Sequence, residues 1–118
     1  MGQTIAEKIL SAHAHKRVGA GELAVCDVDF CFGQDGTSSI VIDSFRKLGV
    51  PKVNNRKRFA MVIDHSSPSP NIGVSQIHAK MRTFAAEHAV QMYDIVGMVS
   101  HQTIPEQRLG NCQVLVLR

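Results

Sequence analysis

The chain has 118 residues, of which 44% are hydrophobic and 19% charged, and its formal net charge is +3. This composition is typical of a folded globular protein, which argues against a disordered chain, and the length fits a single domain over residues 1–118. No apolar run approaches the roughly 18 residues of a membrane span. The three cysteines form no CxxC pair. We therefore expect a cytoplasmic protein with no membrane partner, no disulfide framework and no metal site recognisable from spacing.

The first predicted element is a helix over about residues 4–14. Thr4 and Glu7 have the spacing of a capping box, and apolar residues recur on one helical face after them. A Gly-rich connection follows the helix. The alternation of residue types from Val25 to Phe32 then predicts an extended segment that ends at Gly33.

The stretch "QDGTSSIVIDSFRKLG" predicts a loop that leads into a second helix. Asp35 or Thr37 can cap this helix, and Gly49 followed by Pro51 ends it. The predicted apolar stripe of the helix consists of Val41, Phe45 and Leu48.

The stretch "RFAMVID" is a short apolar run followed by turn-forming residues, which is typical of a buried parallel strand. After it, "VSQIHAKMRTFAAEHAV" has apolar residues at helical spacing, namely Ile77, Met81, Phe84 and Ala85. We predict further strands in "QMYDIVGMV" and "CQVLVLR", with "SHQTIPE" following the first of them.

Helices alternate with strands. This order predicts an α/β fold, a three-layer α/β/α arrangement with a mostly parallel sheet. The last predicted strand reaches Arg118 with no helix after it. Since parallel strands are normally covered by helices on both faces, we expect residues 1–118 to be one incomplete domain of a longer protein.

Positive charge is concentrated in residues 46–58, at Arg46, Lys47, Lys52, Arg56, Lys57 and Arg58. Such a cluster can bind nucleic acid, or it can be a solvated helix end and loop. No aromatic residue stands between the basic ones to stack on bases. The second interpretation is therefore favoured, and nucleic acid is not an expected partner.

Three polar clusters follow predicted strands. They are Gln34-Asp35 with Thr37 and Ser38, then Asp64-His65-Ser66, and then Ser100-His101-Gln102. The carboxyl ends of parallel strands meet at one edge of a sheet, where ligands bind in open α/β folds. A carboxylate beside a histidine suits acid–base chemistry. Turn formation and helix capping explain each cluster equally well when it is taken alone.

The order of these motifs resembles the amino-terminal part of the aconitase family's large subunits, in the branch of 3-isopropylmalate dehydratase and homoaconitase. The matching pieces are "MGQTIAEKILSAHA", "GQDGTSSIVIDSFRKLGV", "VIDHSSPSPN", "MRTFAAEHAVQMYDI" and "SHQTIPEQ". They stand in the family's order and spacing and cover essentially the whole chain. The resemblance implies that the three-layer fold is part of an aconitase-type domain.

The resemblance also implies a hydro-lyase that dehydrates and rehydrates a hydroxy di- or tricarboxylic acid, as in leucine biosynthesis, with a [4Fe-4S] cluster as Lewis acid. Asp64 and His65 match an acid–base pair near the leaving hydroxyl, and His101 matches a member of the same proton network. Gln34 matches a substrate contact, to which we add Thr37 and Ser38 of the same cluster. A small swivelling subunit or another protein chain is the implied partner.

The cysteines Cys26, Cys31 and Cys112 do not match the family's cluster ligands. We therefore expect no metal ligand in this chain and no [4Fe-4S] cluster bound by the chain alone, which would leave a truncated large subunit that is inactive by itself. The alternative function is a non-catalytic binding or assembly module that pairs with another chain through an unfinished sheet edge.

Overall fold

The computed structural model describes residues 2–95, 99–108 and 116–117. Helices and strands alternate within these ranges, as the sequence predicts. The elements are α1 (Ile5–Ala14), β1 (Phe30–Gln34), α2 (Ser38–Lys47), a short 3₁₀ helix (Arg56–Arg58), β2 (Phe59–Val62), α3 (Ile72–His88), β3 (Gln91–Tyr93), α4 (Ser100–Arg108) and β4 (Val116–Leu117).

The strands form one sheet in the order β3-β2-β1-β4, and every pair of neighbours is parallel. In the register of the two central strands, Gln34 at the end of β1 lies opposite Val62 at the end of β2. The segments that follow these strands therefore leave the sheet at the same edge. The prediction of an α/β fold with a parallel sheet is confirmed.

Side chains on the two faces of the sheet belong to two separate apolar clusters. One cluster joins Met61 and Ile63 to α2 and α3, which contribute Ile42, Met81, Phe84 and Ala85. The other joins Phe30, Phe32, Ala60 and Val62 to Ile104 of α4. Because alternate residues of a strand point to opposite faces, this pattern places α2 and α3 on one side of the sheet and α4 on the other. The layers are those of an α/β/α arrangement.

The long helix α3 is the element that the sequence predicts best. The Asn71 side chain accepts a hydrogen bond from the backbone N–H of Val74 at 3.0 Å and so caps the helix start. Met81 and Phe84 are buried, as their spacing predicts. The capping box of Thr4 and Glu7 at the start of α1 is likewise present.

Helix α2 buries a different face from the predicted one. Ile42 is fully buried, whereas Val41 is 49% exposed and Leu48 is 73% exposed. The helix faces the sheet through Ser38, Ile42 and Phe45, which are spaced four and three residues apart and so share one face of the helix. Val41 and Leu48 lie beside this face and are partly or largely exposed. The helix does end before Gly49 as predicted, and that glycine has the left-handed φ of 66°.

The extended segment predicted from Val25 to Phe32 is mostly wrong. Only residues from Phe30 onward join the sheet, and Val25 is 89% exposed. The preceding residues interact with the end of α1 instead: the backbone N–H of Asp27 donates to the carbonyl of His13 at 2.9 Å. An alternating pattern cannot distinguish a strand from a segment that is held beside a helix.

The later part of the chain also differs from the prediction. The stretch "SHQTIPE", to which the sequence analysis assigned no element, is the first part of α4, and Pro105 lies inside that helix. The strand predicted in "QMYDIVGMV" covers only Gln91–Tyr93, and residues 96–98 lie outside the described residues. The final predicted strand is present at Val116–Leu117. The rest of that predicted strand, including Cys112, lies outside the described residues.

No helix in the described part of the chain combines the length and the apolar character that crossing a membrane requires.

Substitution of Ile42 should test which face of α2 is buried. Ile42→Ala removes a fully buried side chain from between the sheet and α3, and we expect the free energy of unfolding to fall by about 2–5 kcal/mol. The matched variant Val41→Ala should change it by about 0.5 kcal/mol or less. Urea unfolding monitored by circular dichroism measures both. Equal losses in the two variants would contradict the observed orientation of α2.

The ion pair between α3 and the end of β3 should make stability depend on pH in acid. Arg82 binds both carboxylate oxygens of Asp94, at 2.6 and 2.7 Å, and these hydrogen bonds lower the pKa of Asp94 to about 2. Because the folded pKa lies below the unfolded value, Asp94 stabilises the fold above about pH 4, and this contribution is lost as the pH falls towards 2.

The variant Asp94→Asn should therefore be less stable at pH 7 by about 0.2–1 kcal/mol, a small effect because both side chains are about two-fifths exposed. The difference from the unmodified chain should shrink between pH 4 and pH 2. Urea unfolding at a series of pH values measures it, and a difference that stays constant down to pH 3 would contradict this assignment.

Candidate active site

The three polar clusters of the sequence meet at the carboxyl edge of the sheet. Gln34 is the last residue of β1, and Asp64 with His65 follows β2 after one further residue. His101 lies in the first turn of α4, on the chain that returns from β3. The parallel register of β1 and β2 is what brings the first two clusters side by side.

Asp64, His65 and His101 form the centre of the site. One oxygen of Asp64 lies 2.6 Å from Nδ1 of His65, and the other accepts a hydrogen bond from the backbone N–H of Ser100 at 2.8 Å. The rings of His65 and His101 have their centroids 5.0 Å apart. Two imidazoles and one carboxyl group therefore share one small region.

The carboxyl group of Asp64 is held in its ionised form. Burial raises the pKa of Asp64, but the hydrogen bonds from His65 and from the backbone and hydroxyl of Ser100 outweigh burial and lower the pKa below its usual value of 3.8. The Ser100 N–H belongs to the first turn of α4, where helix termini favour negative charge. Asp64 is consequently an anion at neutral pH and orients the ring of His65.

Asp35 fixes the loop that carries His65. Its side chain is fully buried, and its two oxygens accept hydrogen bonds from the backbone N–H groups of His65 at 3.1 Å and Ser66 at 2.8 Å. The capping role predicted for Asp35 is wrong, because this carboxyl group faces the loop after β2. Thr37 occupies the N-cap position of α2 without a capping hydrogen bond from its side chain.

His78 is a member of the site's support that the sequence analysis missed. Its Nε2 lies 3.2 Å from the carboxyl group of Asp35, and the side chain is 2% exposed. A signal was present in the sequence, because His78 falls three residues before Met81 on the apolar face of the predicted helix. A histidine on a buried helical face needs a polar partner, and a carboxyl group from another element supplies it.

The residues predicted as substrate contacts lie where β1 passes into α2. The Gln34 side chain accepts from the backbone N–H of Gly36, and its amide lies 3.5 Å from the Thr37 hydroxyl. Ser38 is fully buried, and its hydroxyl donates to the carbonyl of Gln34 at 2.7 Å. Of these three residues only Thr37 is exposed.

The two histidines of the site are exposed to solvent, whereas Asp64 is mostly buried. The His65 side chain is 35% exposed while that of Asp64 is 5% exposed. Two cavities lined by described residues, of about 770 and 520 Å³, lie elsewhere, the first beside Arg56 and Arg82 and the second between α1 and residues 18–26. Neither cavity contains Asp64, His65 or His101.

The described residues do not fit the [4Fe-4S] cluster that the resemblance implies. Such clusters are held by several cysteine thiolates. Among the residues that the structure describes, the group placed to hold a metal ion is Asp64, His65 and His101, which includes no cysteine. Cys26 contacts the Leu10 carbonyl, and burial raises the pKa of the Cys31 thiol, which opposes thiolate formation. Cys112 lies outside the described residues.

Comparison with known proteins gives relatives named 3-isopropylmalate dehydratase large subunit. The chain is 42% identical over 107 residues to the 3-isopropylmalate dehydratase large subunit 1 of Thermotoga maritima, a match that covers 91% of this chain and 25% of that subunit. It is 38% identical over 116 residues to the 3-isopropylmalate dehydratase large subunit of Elusimicrobium minutum, covering 98% and 28%, respectively. The subunit of the same name from Thermodesulfovibrio yellowstonii is 41% identical over 110 residues, covering 91% and 26%.

No protein-family model matches the chain. The chain spans about a quarter of the length of the curated relatives that it matches. The identities extend over nearly all of its residues, as the collinear motifs of the sequence predict. The chain therefore belongs to the 3-isopropylmalate dehydratase branch of the aconitase family and corresponds to the amino-terminal part of its large subunit.

Proposed function

We propose that this chain supplies the acid–base part of the active site of a cytoplasmic hydro-lyase that dehydrates and rehydrates a hydroxy di- or tricarboxylic acid. The observation that carries the proposal is the meeting of Asp64, His65 and His101 at one edge of the sheet. It occurs in a chain about 40% identical to subunits named 3-isopropylmalate dehydratase. Residues 1–118 are then one incomplete domain of such a subunit.

In the proposed reaction, this chain donates the proton with which the substrate hydroxyl leaves as water. Dehydration breaks a C–O bond and a neighbouring C–H bond. The hydroxyl departs as water once it has gained a proton, and the C–H proton passes to a base supplied from outside these residues. His65 donates that proton, because Asp64 holds one ring nitrogen at 2.6 Å and the partly exposed ring can reach a bound substrate. His101, whose ring lies beside that of His65, exchanges protons with the same network. Rehydration follows the same steps in reverse.

Gln34 and Thr37 are the proposed substrate contacts, and Ser38 is the residue that positions Gln34. The Gln34 amide and the Thr37 hydroxyl lie near each other at the end of β1 and can donate hydrogen bonds to a substrate carboxylate. Ser38 contributes through the position of Gln34, because its buried hydroxyl donates to the Gln34 carbonyl. The remaining groups of the site, and the small-subunit partner, come from outside these residues.

A second candidate function is assembly with another chain. Large apolar side chains are unusually exposed near α1: Leu23 is 92% exposed, Val25 is 89% exposed and Ile5 is 78% exposed. Large exposed apolar side chains can form a surface that associates with another protein. This candidate needs no catalysis by the chain and is compatible with the first.

A chimeric subunit tests the acid–base role. We expect that replacing the matching part of the Thermotoga maritima large subunit with this chain gives dehydratase activity in the presence of the small subunit. In that chimera, Asp64→Asn and His65→Asn should each lower kcat by about 10²- to 10⁴-fold, because they remove the proton donor or its orienting partner. His15→Asn is the matched control, since it alters an exposed histidine–aspartate pair, and it should leave kcat unchanged.

Steady-state kinetics measure these changes, and thermal unfolding of each chimera confirms that it is folded. The isolated chain should show no turnover. Full activity of the Asp64→Asn and His65→Asn chimeras would overturn the acid–base assignment. Turnover by the isolated chain would overturn the proposal that the remaining groups of the active site come from outside these residues.

The assembly function predicts that the isolated chain associates as its concentration rises. Leu23→Glu combined with Val25→Glu should shift the chain to a monomer, because charged side chains cannot be buried in an apolar contact without a large cost. Ile72→Glu changes an apolar side chain that is 79% exposed elsewhere and should leave association unchanged. Sedimentation velocity at several concentrations measures this, and a monomer at every concentration would count against the assembly function.

A further inference from the structure

We propose that Asp64, His65 and His101 bind one divalent transition-metal ion, with Zn²⁺ as the expected occupant. This inference goes beyond the acid–base role of the same residues. It does not depend on the proposed function, because binding of an ion requires neither a substrate nor the rest of the subunit. Nor does it involve the cysteines or a [4Fe-4S] cluster.

The spacing of the three side chains suits a single ion. One ligand atom from each residue lies within 4.8 Å of the other two. Nitrogen and oxygen ligands stand about 2.0–2.1 Å from Zn²⁺, so neighbouring ligands of a tetrahedral site are roughly 3.3 Å apart. The two ligand atoms that are farthest apart must therefore move towards each other by at most about 1.5 Å. Rotation of the partly exposed His65 ring and the exposed His101 side chain can supply this movement without a change in the sheet.

The surrounding structure already holds the three residues in place. The Ser100 N–H fixes Asp64 at 2.8 Å, and the buried Asp35 carboxyl group fixes the backbone of His65 at 3.1 Å. His101 follows directly after Ser100, in the first turn of α4, and its ring packs edge-on against Phe32 of β1. Hydrogen bonds from a second layer of residues are what orient the ligands of natural metal sites.

The ligand types select the metal. Imidazole nitrogens favour Zn²⁺, Cu²⁺, Ni²⁺ and related ions, whereas Mg²⁺ and Ca²⁺ prefer oxygen ligands. Two histidines and one carboxylate leave at least one coordination position open to water or to an oxygen of a bound acid. The site should accordingly bind Zn²⁺ and Co²⁺ and should not bind Mg²⁺ measurably.

Metal binding and proton transfer should exclude each other. An imidazole that coordinates an ion uses the lone pair with which it would accept a proton, and the Asp64–His65 contact must open to admit the ion. Zn²⁺ bound here would therefore inhibit the proton-transfer role of the same residues.

The test is isothermal titration of the full 118-residue chain, with any affinity tag removed, with ZnCl₂ and with MgCl₂. We expect one Zn²⁺ per chain and no measurable heat of Mg²⁺ binding. His101→Ala and His65→Ala should each weaken Zn²⁺ binding by at least about 10-fold, while His15→Ala, beside Asp27 on the surface, should leave it unchanged. In a parallel experiment, Co²⁺ should give the visible absorption bands of a tetrahedral site, and these bands should be lost in His101→Ala.

Circular dichroism shows whether each variant is folded before it is titrated. Equal Zn²⁺ affinity in the unmodified chain, His65→Ala and His101→Ala would overturn the proposed site, as would the absence of Zn²⁺ binding by the folded chain. Because these measurements use no substrate and no second subunit, an inactive chimera would leave them unaffected. Conversely, an active chimera whose amino-terminal part does not bind Zn²⁺ would refute the metal site alone.

Discussion

The buried carboxyl group of Asp35 is the constraint on which the geometry of the candidate site depends. It stands just after β1 and receives the backbone N–H groups of His65 and Ser66, while Nε2 of His78 lies against it from α3. A fully buried carboxyl group is costly unless its oxygens are hydrogen-bonded, and here three donors from two other elements surround it. The end of β1, the loop after β2 and the middle of α3 are thereby fixed relative to one another.

Asp64 extends this network to the other side of the sheet. Its backbone continues from β2, and its side chain reaches the first N–H of α4, the helix that covers the face opposite to α3. The site thus lies where both helical layers meet the carboxyl edge of the strands. The carboxyl groups of Asp35 and Asp64 accept hydrogen bonds from backbone N–H groups of neighbouring segments. These bonds hold Asp64, His65 and His101 close together.

The same three residues are suited to two kinds of chemistry. A histidine that is oriented by an ionised carboxylate can move a proton at neutral pH, and two histidines with a carboxylate can hold an ion. Within the described residues this group includes no cysteine, so neither proton transfer nor binding of a single ion by these residues involves a [4Fe-4S] cluster. The family relationship favours proton transfer, whereas the spacing alone favours neither.

The sequence by itself determined the order of helices and strands, the parallel sheet and the family, because apolar periodicity, turn residues and collinear motifs are local properties of a chain. It also indicated which residues stand near the sheet edge, since those residues follow the strands directly. Only the tertiary structure decided that α2 buries Ile42 rather than Val41, that residues 25–29 lie beside α1, and that Asp35 binds the loop after β2. Each of these depends on contacts between segments distant in sequence. Neither the hydropathy of a residue nor its propensity for one conformation specifies which distant partner it will meet.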